Sequence, residues 1–166
     1  MITTIKPPHR RHEHSITDAY TIFVGGSIEM GKAVNWQFDL HQRLNAADPA
    51  IDAVLFNPRR NDWDATQPQD PTPGTQFEQQ VTWELDHLES ADLIVFNFIA
   101  DTISPITLLE LGMNSANSKD VIVCCPRDYF RYGNVKILCE RSGITITEDY
   151  EELCNLVIQR AQNHVE

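Results

Sequence analysis

A chain of 166 residues, 42% of them hydrophobic, holds enough apolar material for one core between a sheet and its helices but not for a second full domain. Its 24 acidic against 13 basic residues give a net charge of −11. That field repels the phosphate backbone of a nucleic acid polymer and excludes DNA or RNA as an expected partner, whereas a single nucleoside or nucleotide responds to the local pocket.

No run approaches the roughly 18 uninterrupted apolar residues of a membrane span, and the first residues lack the apolar centre of a signal peptide. A soluble, cytoplasmic protein with no membrane partner is expected. Residues 1–19 carry Pro7-Pro8 and scattered charges without apolar periodicity, which predicts an irregular arm ahead of a single domain over 20–166. His9, His12 and His14 cluster in that arm. A metal site there is weighed against a solvated or loosely docked tail, and the tail is the expectation.

From Tyr20 to Val24 a short β-prone run ends at Gly25-Gly26-Ser27, the form of a buried strand entering a tight loop. Val34, Phe38, His41 and Leu44 recur at helical spacing, with Trp36 and Leu40 beside them, and Ala53–Phe56 gives a second strand. Asn57-Pro58-Arg59-Arg60 then opens a polar, proline-rich loop to Thr75, long enough to be functional. Phe77, Val81, Leu85 and Leu88 mark an amphipathic helix over Gln76–Ser90.

Asp92–Phe98 is nearly all apolar and predicts the central strand of a parallel sheet. Ser104 can cap a helix that begins at Pro105 and runs through Ile106, Leu108, Leu109, Leu111 and Met113 to about Ser115. Val121–Cys125 predicts a strand, Asn134–Arg141 a helix, Thr145–Ile146 a short strand, and Tyr150–Gln162 a closing helix. The alternation implies a doubly wound, Rossmann-like α/β fold: a flavodoxin-like parallel sheet of about five strands, order 2-1-3-4-5, with helices on both faces. Cys124, Cys125, Cys139 and Cys154 have neither CxxC spacing nor partnering histidines, so they are expected as buried thiols with no metal.

In such a sheet a ligand binds beyond the carboxyl ends of the strands where strand order reverses, between Gly25–Lys32 and Ile99–Pro105. Neither GxGxxG nor GxxxxGK[ST] occurs, so no cofactor is expected. Gly25, Gly26 and Ser27 can bring backbone and a hydroxyl against a ligand, although a plain strand-ending turn has the same form. Glu110 lies in Thr-Leu-Leu-Glu-Leu-Gly, where a carboxylate is costly to bury unless used or paired. Thr107, Glu110 and Asn114 share one helix face, which points either to a site or to solvent.

Glu84, beside Trp83 with Gln80 one turn before and His87 one turn after, is a second candidate acid or an ordinary solvated glutamate. Asp92 opens its strand at the opposite end and is expected to cap or brace. A carboxylate against apolar walls can attack an electrophilic carbon or carry a proton.

Ile22-Phe23-Val24-Gly25-Gly26-Ser27-Ile28, Asn57-Pro58-Arg59-Arg60, Trp83-Glu84, Ala91-Asp92-Leu93-Ile94-Val95-Phe96, Ile106-Thr107-Leu108-Leu109-Glu110-Leu111-Gly112 and Asn134-Val135 occur in this order over most of residues 20–140. In order and spacing the sequence resembles the nucleoside 2-deoxyribosyltransferase superfamily, particularly its shorter deoxyribosyltransferase-like branch. The resemblance implies that Glu110 attacks C1′ of the sugar and that Glu84 stands where the family places a base-side acid, usually aspartate. Gly25 and Gly26 match the loop beside the base, without the aromatic hydroxyl common there.

Ser104 stands six residues before the nucleophile, where transferases commonly carry an aspartate. A serine there is similar to the branch that hydrolyses nucleoside 5′-monophosphates, whose hydroxyl groups receive the phosphate. Arg59 and Arg60 could pair with such a phosphate or form loop salt bridges; Trp83 could stack on a base or pack between helices. The Asn134 region resembles the segment that related homo-oligomers lend to a neighbour's site.

The expected substrate-facing set is therefore Gly25, Gly26, Ser27, Asn57, Arg59, Trp83, Ser104 and Asn134, around Glu110 and Glu84. The expected activity is glycosyl transfer from a nucleoside to another base by a retaining displacement, in a homo-oligomer. Hydrolysis of nucleoside 5′-monophosphates and a non-catalytic nucleotide-binding or sensor module are the alternatives.

Overall fold

The strands are buried along nearly their whole length, and that fixes the architecture, because a strand covered on both faces needs helices above and below it. The computed structural model describes residues 1–10, 18–28, 33–64, 66 and 68–164. In chain order its elements are β1 (Ile2–Ile5), β2 (Tyr20–Gly26), α1 (Trp36–Asn45), β3 (Ala53–Phe56), α2 (Gln76–Ser90), β4 (Leu93–Asn97), α3 (Pro105–Ser115), β5 (Asp120–Cys124), α4 (Tyr132–Ser142), β6 (Thr145–Thr147) and α5 (Tyr150–Asn163). All pair in parallel, in the order β1-β3-β2-β4-β5-β6. Among the described residues no helix is long and apolar enough to cross a membrane.

The doubly wound class stands as expected, with six strands instead of about five. The addition is β1, within the segment expected to be an irregular arm. Ile-Thr-Thr-Ile is too short to show periodicity, yet its two isoleucines are buried on opposite faces of the sheet, and Ile2–Ile5 pair with Ala53–Phe56. The loop from Gly25 to Lys32 is described only as far as Ile28, and His12 and His14 also fall outside the described residues.

One face of the sheet is covered by α1 and α5 around Ile22, Val24, Leu55, Val95 and Ile122. The other is covered by α2, α3 and α4 around Phe23, Phe56, Phe96 and Val123. The covering helices turn differently from their apolar spacing. On α1 the buried side chains are Trp36, Gln37, Leu40 and Leu44, whereas Val34, just before it, and Phe38 point outward. The Trp36 indole N–H donates to the Ser27 carbonyl, which sets this rotation. On α2 the buried residues are Gln80, Trp83, His87 and Leu88, with Val81 and Leu85 at the surface.

The reversal of strand order falls between β2 and β4, where Gly26 pairs with Asn97. Gly26 has φ +144°, and a Cβ there would lie 2.3 Å from the Asn97 carbonyl oxygen. Only glycine lets the two strands meet at this point. Gly26→Ala is expected to lower stability by about 2–3 kcal/mol, through strain and strand separation, and the melting temperature by roughly 5–10 °C in calorimetry. An unchanged melting temperature would contradict this packing.

Candidate functional site

Helix α3 carries its polar residues inward. Thr107, Glu110 and Asn114 are buried, while Ile106, Leu109 and Met113 are exposed, Leu109 by 69%. Of the two placements open to this stripe, the structure takes the buried one. Glu110 is 7% exposed, and among the described residues no cation forms an ion pair with it. The Asn114 amide donates to the Glu110 carbonyl at 2.9 Å, holding the backbone of this turn.

Glu84 approaches from α2. Its Oε1 accepts a 2.7 Å hydrogen bond from the Gln80 amide one turn earlier, and that same nitrogen donates to the Pro58 carbonyl at 2.9 Å. Burial raises the Glu84 pKa to about 7, against the smaller lowering effect of the Gln80 bond. Glu110 lies well above the ordinary carboxylate range, first through burial and then through the charge on Glu84. Two carboxyl groups that repel each other in a dry space lose their protons in turn, as a pair. Over a span of pH they therefore hold one proton between them, one group an acid and the other a carboxylate.

Gly25 and Gly26 lie at the end of β2, and their nearest neighbours are Phe23, Phe96 and Asn97. Ser27 is fully buried, and its hydroxyl meets those of Thr102 at 2.6 Å and Ser104 at 2.7 Å while accepting from the Ile99 N–H. Thr102 and Ser104 close the triangle at 2.9 Å, and Thr102 donates to the Ile99 carbonyl. Ser104 adopts a left-handed conformation, φ 45°, at the start of α3 and makes no capping bond with its side chain. These hydroxyls pin the loop before α3 to the end of β2.

Asn57 is buried after β3 and accepts from the Arg59 N–H, forming a local turn. Arg59 donates to the carbonyls of Ala33 and Val34, so it ties this turn to the entrance of α1. Arg60 forms a two-point ion pair with Asp62, the salt-bridge alternative. Trp83 is buried 4.0 Å from the His87 ring and edge-on to Phe56, and its N–H donates to the His9 carbonyl. It packs in the helix interface and has no face left for a base. Asn134 is exposed on α4, lining a cavity of about 330 Å³ with Leu108, Leu111, Arg131, Val135 and Leu138. This cavity lies between α3 and α4 and does not include the carboxyl pair. Asp92 accepts from the N–H and hydroxyl of Thr21, bracing β2 against β4 as expected.

Two buried amides carry no signal in the sequence that marks them as site residues. Gln80 appears in the sequence only as a neighbour of Glu84, yet its Oε1 is buried without a partner. Gln37, 1% exposed, has neither amide atom paired. No spacing signals such a residue, because it occupies a core position in a helix otherwise read by its apolar stripe. An unpaired buried polar group costs about 1–3 kcal/mol. Gln37→Met, close in volume, is expected to raise the melting temperature by roughly 2–6 °C in calorimetry; a fall would show that the amide has a partner.

The raised Glu84 pKa has a signed consequence. Between about 4.5 and about 7 the folded chain binds more protons than the unfolded chain, so stability falls as pH rises through that window. Glu84→Gln removes this dependence. Its melting temperature is expected to match wild type near pH 4.5 and exceed it increasingly up to about pH 7. Parallel profiles for the two proteins would rule out a buried, raised Glu84.

A family model described as "Nucleoside 2-deoxyribosyltransferase like" matches residues 19–129, two thirds of the 166-residue chain. No curated protein matches the chain. Among solved structures, a conserved protein from Enterococcus faecalis superposes with a TM-score of 0.61 at 13% identity, covering 86% of this chain and 99% of that one. At that identity the likeness shows the fold alone.

Proposed function

The chain belongs to the nucleoside 2-deoxyribosyltransferase-like family, and from that premise we propose that it cleaves the N-glycosidic bond of a nucleoside through Glu110 and passes the sugar to a second base. The observation that carries this reading is the carboxyl pair: Glu110 buried on α3 and Glu84 half-buried on α2, the charge of one felt by the other, with no ion-pair partner among the described residues. In the reacting form the pair's one proton sits on Glu84, the acid that protonates the departing base, and Glu110 is the carboxylate that attacks C1′; in the free protein burial and the Glu84 charge favour the proton on Glu110, so substrate binding must shift it. The incoming base then returns a proton to Glu84 as it displaces the enzyme from the sugar.

A nucleoside is favoured over its 5′-monophosphate. Ser104 is bonded to Ser27 and Thr102 and Arg59 to two backbone carbonyls, so these groups are engaged within the chain, while Arg60 pairs with Asp62 through two nitrogens and keeps its Nη1 buried without a partner. Incubation with deoxynucleosides and a second free base, followed by chromatography, is expected to show exchange. Glu110→Ala is expected to reduce it by roughly three to six orders of magnitude. Activity should pass through a maximum in pH, since the doubly protonated and doubly ionised pairs are both inactive. Unchanged turnover in Glu110→Ala would remove this mechanism, and release only from monophosphates would establish the hydrolase.

The same arrangement supports a homo-oligomer. Because α2 and α3 turn polar residues inward, Val81 and Leu85 of α2 and Ile106, Leu109 and Met113 of α3 stand exposed. A second copy would cover them. Sedimentation is expected to give a dimer or larger species, and Leu109→Lys a monomer; a monomeric wild type would end this reading.

A further inference from the structure

Gln80 is held by two bonds and wants a third. Both hydrogens of its Nε2 are committed, one to the Pro58 carbonyl and one to Glu84. The orientation of the amide follows from Pro58, whose carbonyl can only accept, so the nitrogen must face it. The oxygen is then left buried with no hydrogen-bond partner, on a side chain only 9% exposed. A buried acceptor of this kind is destabilising unless something supplies a donor. The deficit lies within the hydrogen-bonded pair that contains the candidate proton donor. An acceptor that lacks a donor and an acid are thus joined through a single amide group.

We propose that Gln80 reads the leaving base: its Oε1 accepts from an exocyclic amino group while Glu84 delivers its proton to the adjacent ring nitrogen, which makes amino-substituted bases, adenine first, the substrates in preference to their oxo counterparts. This rests on the glycosidic reaction proposed above and names its substrate class.

Adenine offers N7 as an acceptor beside the N6 amino donor, the complement of an acid beside an acceptor; a 6-oxo purine offers two acceptors there. Its oxygen would meet the Gln80 oxygen with no hydrogen between them. In the chemical step the C1′–N9 bond breaks and its electron pair leaves with the purine. The Glu84 proton arrives at N7, and the Glu110 carboxylate forms the new bond to C1′. Neutral adenine departs, and the negative charge passes from Glu110 to Glu84. The amino group keeps its hydrogens throughout, so its contact with Gln80 holds the base in register while the proton moves.

The experiment compares 2′-deoxyadenosine with 2′-deoxyinosine, which differ on this edge in the amino against the oxo group, by kcat/KM for base release or exchange. The deoxyadenosine value is expected to be at least about 10²-fold higher, as for sites that lose a designed hydrogen bond. In Gln80→Met the ratio should fall towards one, mainly through loss on deoxyadenosine. Calorimetric binding of free adenine against free hypoxanthine to the wild-type protein reads the same discrimination without turnover. Discrimination in binding with no turnover of any nucleoside would support the Gln80 assignment and refute the reaction. Equal or reversed ratios in wild type, equal binding, binding of neither base, or an undiminished ratio in folded Gln80→Met would overturn the assignment.

Discussion

Burying Glu110 within reach of the Glu84 charge, with no cation paired to it among the described residues, is an expensive placement, and the surrounding architecture follows from meeting its terms. A carboxylate alone in such a space would protonate, and a pair settles by holding one proton between its members. That arrangement goes with polar residues on the buried faces of both helices: Gln80 on α2, with the half-buried Glu84 bonded to it, and Thr107, Glu110 and Asn114 on α3. Helices that spend their inward faces in this way must be held by something other than a continuous apolar stripe. For α3 the hold comes from Leu111 in the core and from Tyr129, whose hydroxyl donates to the Ile103 carbonyl just before the helix.

For α2 the hold comes from an unexpected direction. Trp83 and His87 form an aromatic stack that closes against Phe56, and the N-terminal segment fixes its outer side through the His9 carbonyl on Trp83 and the Arg10 ion pair with Asp86. This segment leaves the sheet at β1, where the Asn57 N–H donates to the Ile5 carbonyl. It therefore braces both the loop that bears Pro58 and the helix that bears Gln80, the two supports of the Glu84 hydrogen bond. The first ten residues, outside the span matched by the family model, thus support a helix inside it.

The alternation of strands and helices was legible because buried parallel strands are runs of apolar residues, and β2, β4 and β5 are such runs. Strand β1 was not, since four residues give no period and two of them are threonine. The faces of α1 and α2 do not follow from spacing, for one reason: apolar side chains outnumber the positions facing the sheet, so periodicity alone does not separate Val81 and Leu85 from Trp83 and Leu88. Glu110 and Glu84 stood out as acids among apolar neighbours. Their mutual influence depends on the approach of two helices, which no local pattern encodes. Trp83 illustrates the converse, since an indole next to a candidate acid suggests a stacking platform until its edge is found bonded to a backbone carbonyl and its face covered by His87.

Unpaired buried polar atoms are rare enough in folded proteins that each calls for a cause. Gln37 and Gln80 both carry them, but their settings differ in a way that separates a defect from a device. Gln37 has no hydrogen-bonded partner at either atom, so replacing it removes a cost without removing a contact. Gln80 is fixed at its nitrogen by two bonds, one of them to an acid, and this leaves its oxygen oriented by the same contacts that orient the proton carrier. A polar atom positioned by its surroundings and left without a partner beside a reactive group has the properties of a recognition element. Its cost is recovered only when a donor arrives, and that condition ties selectivity for the base to the geometry that delivers its proton.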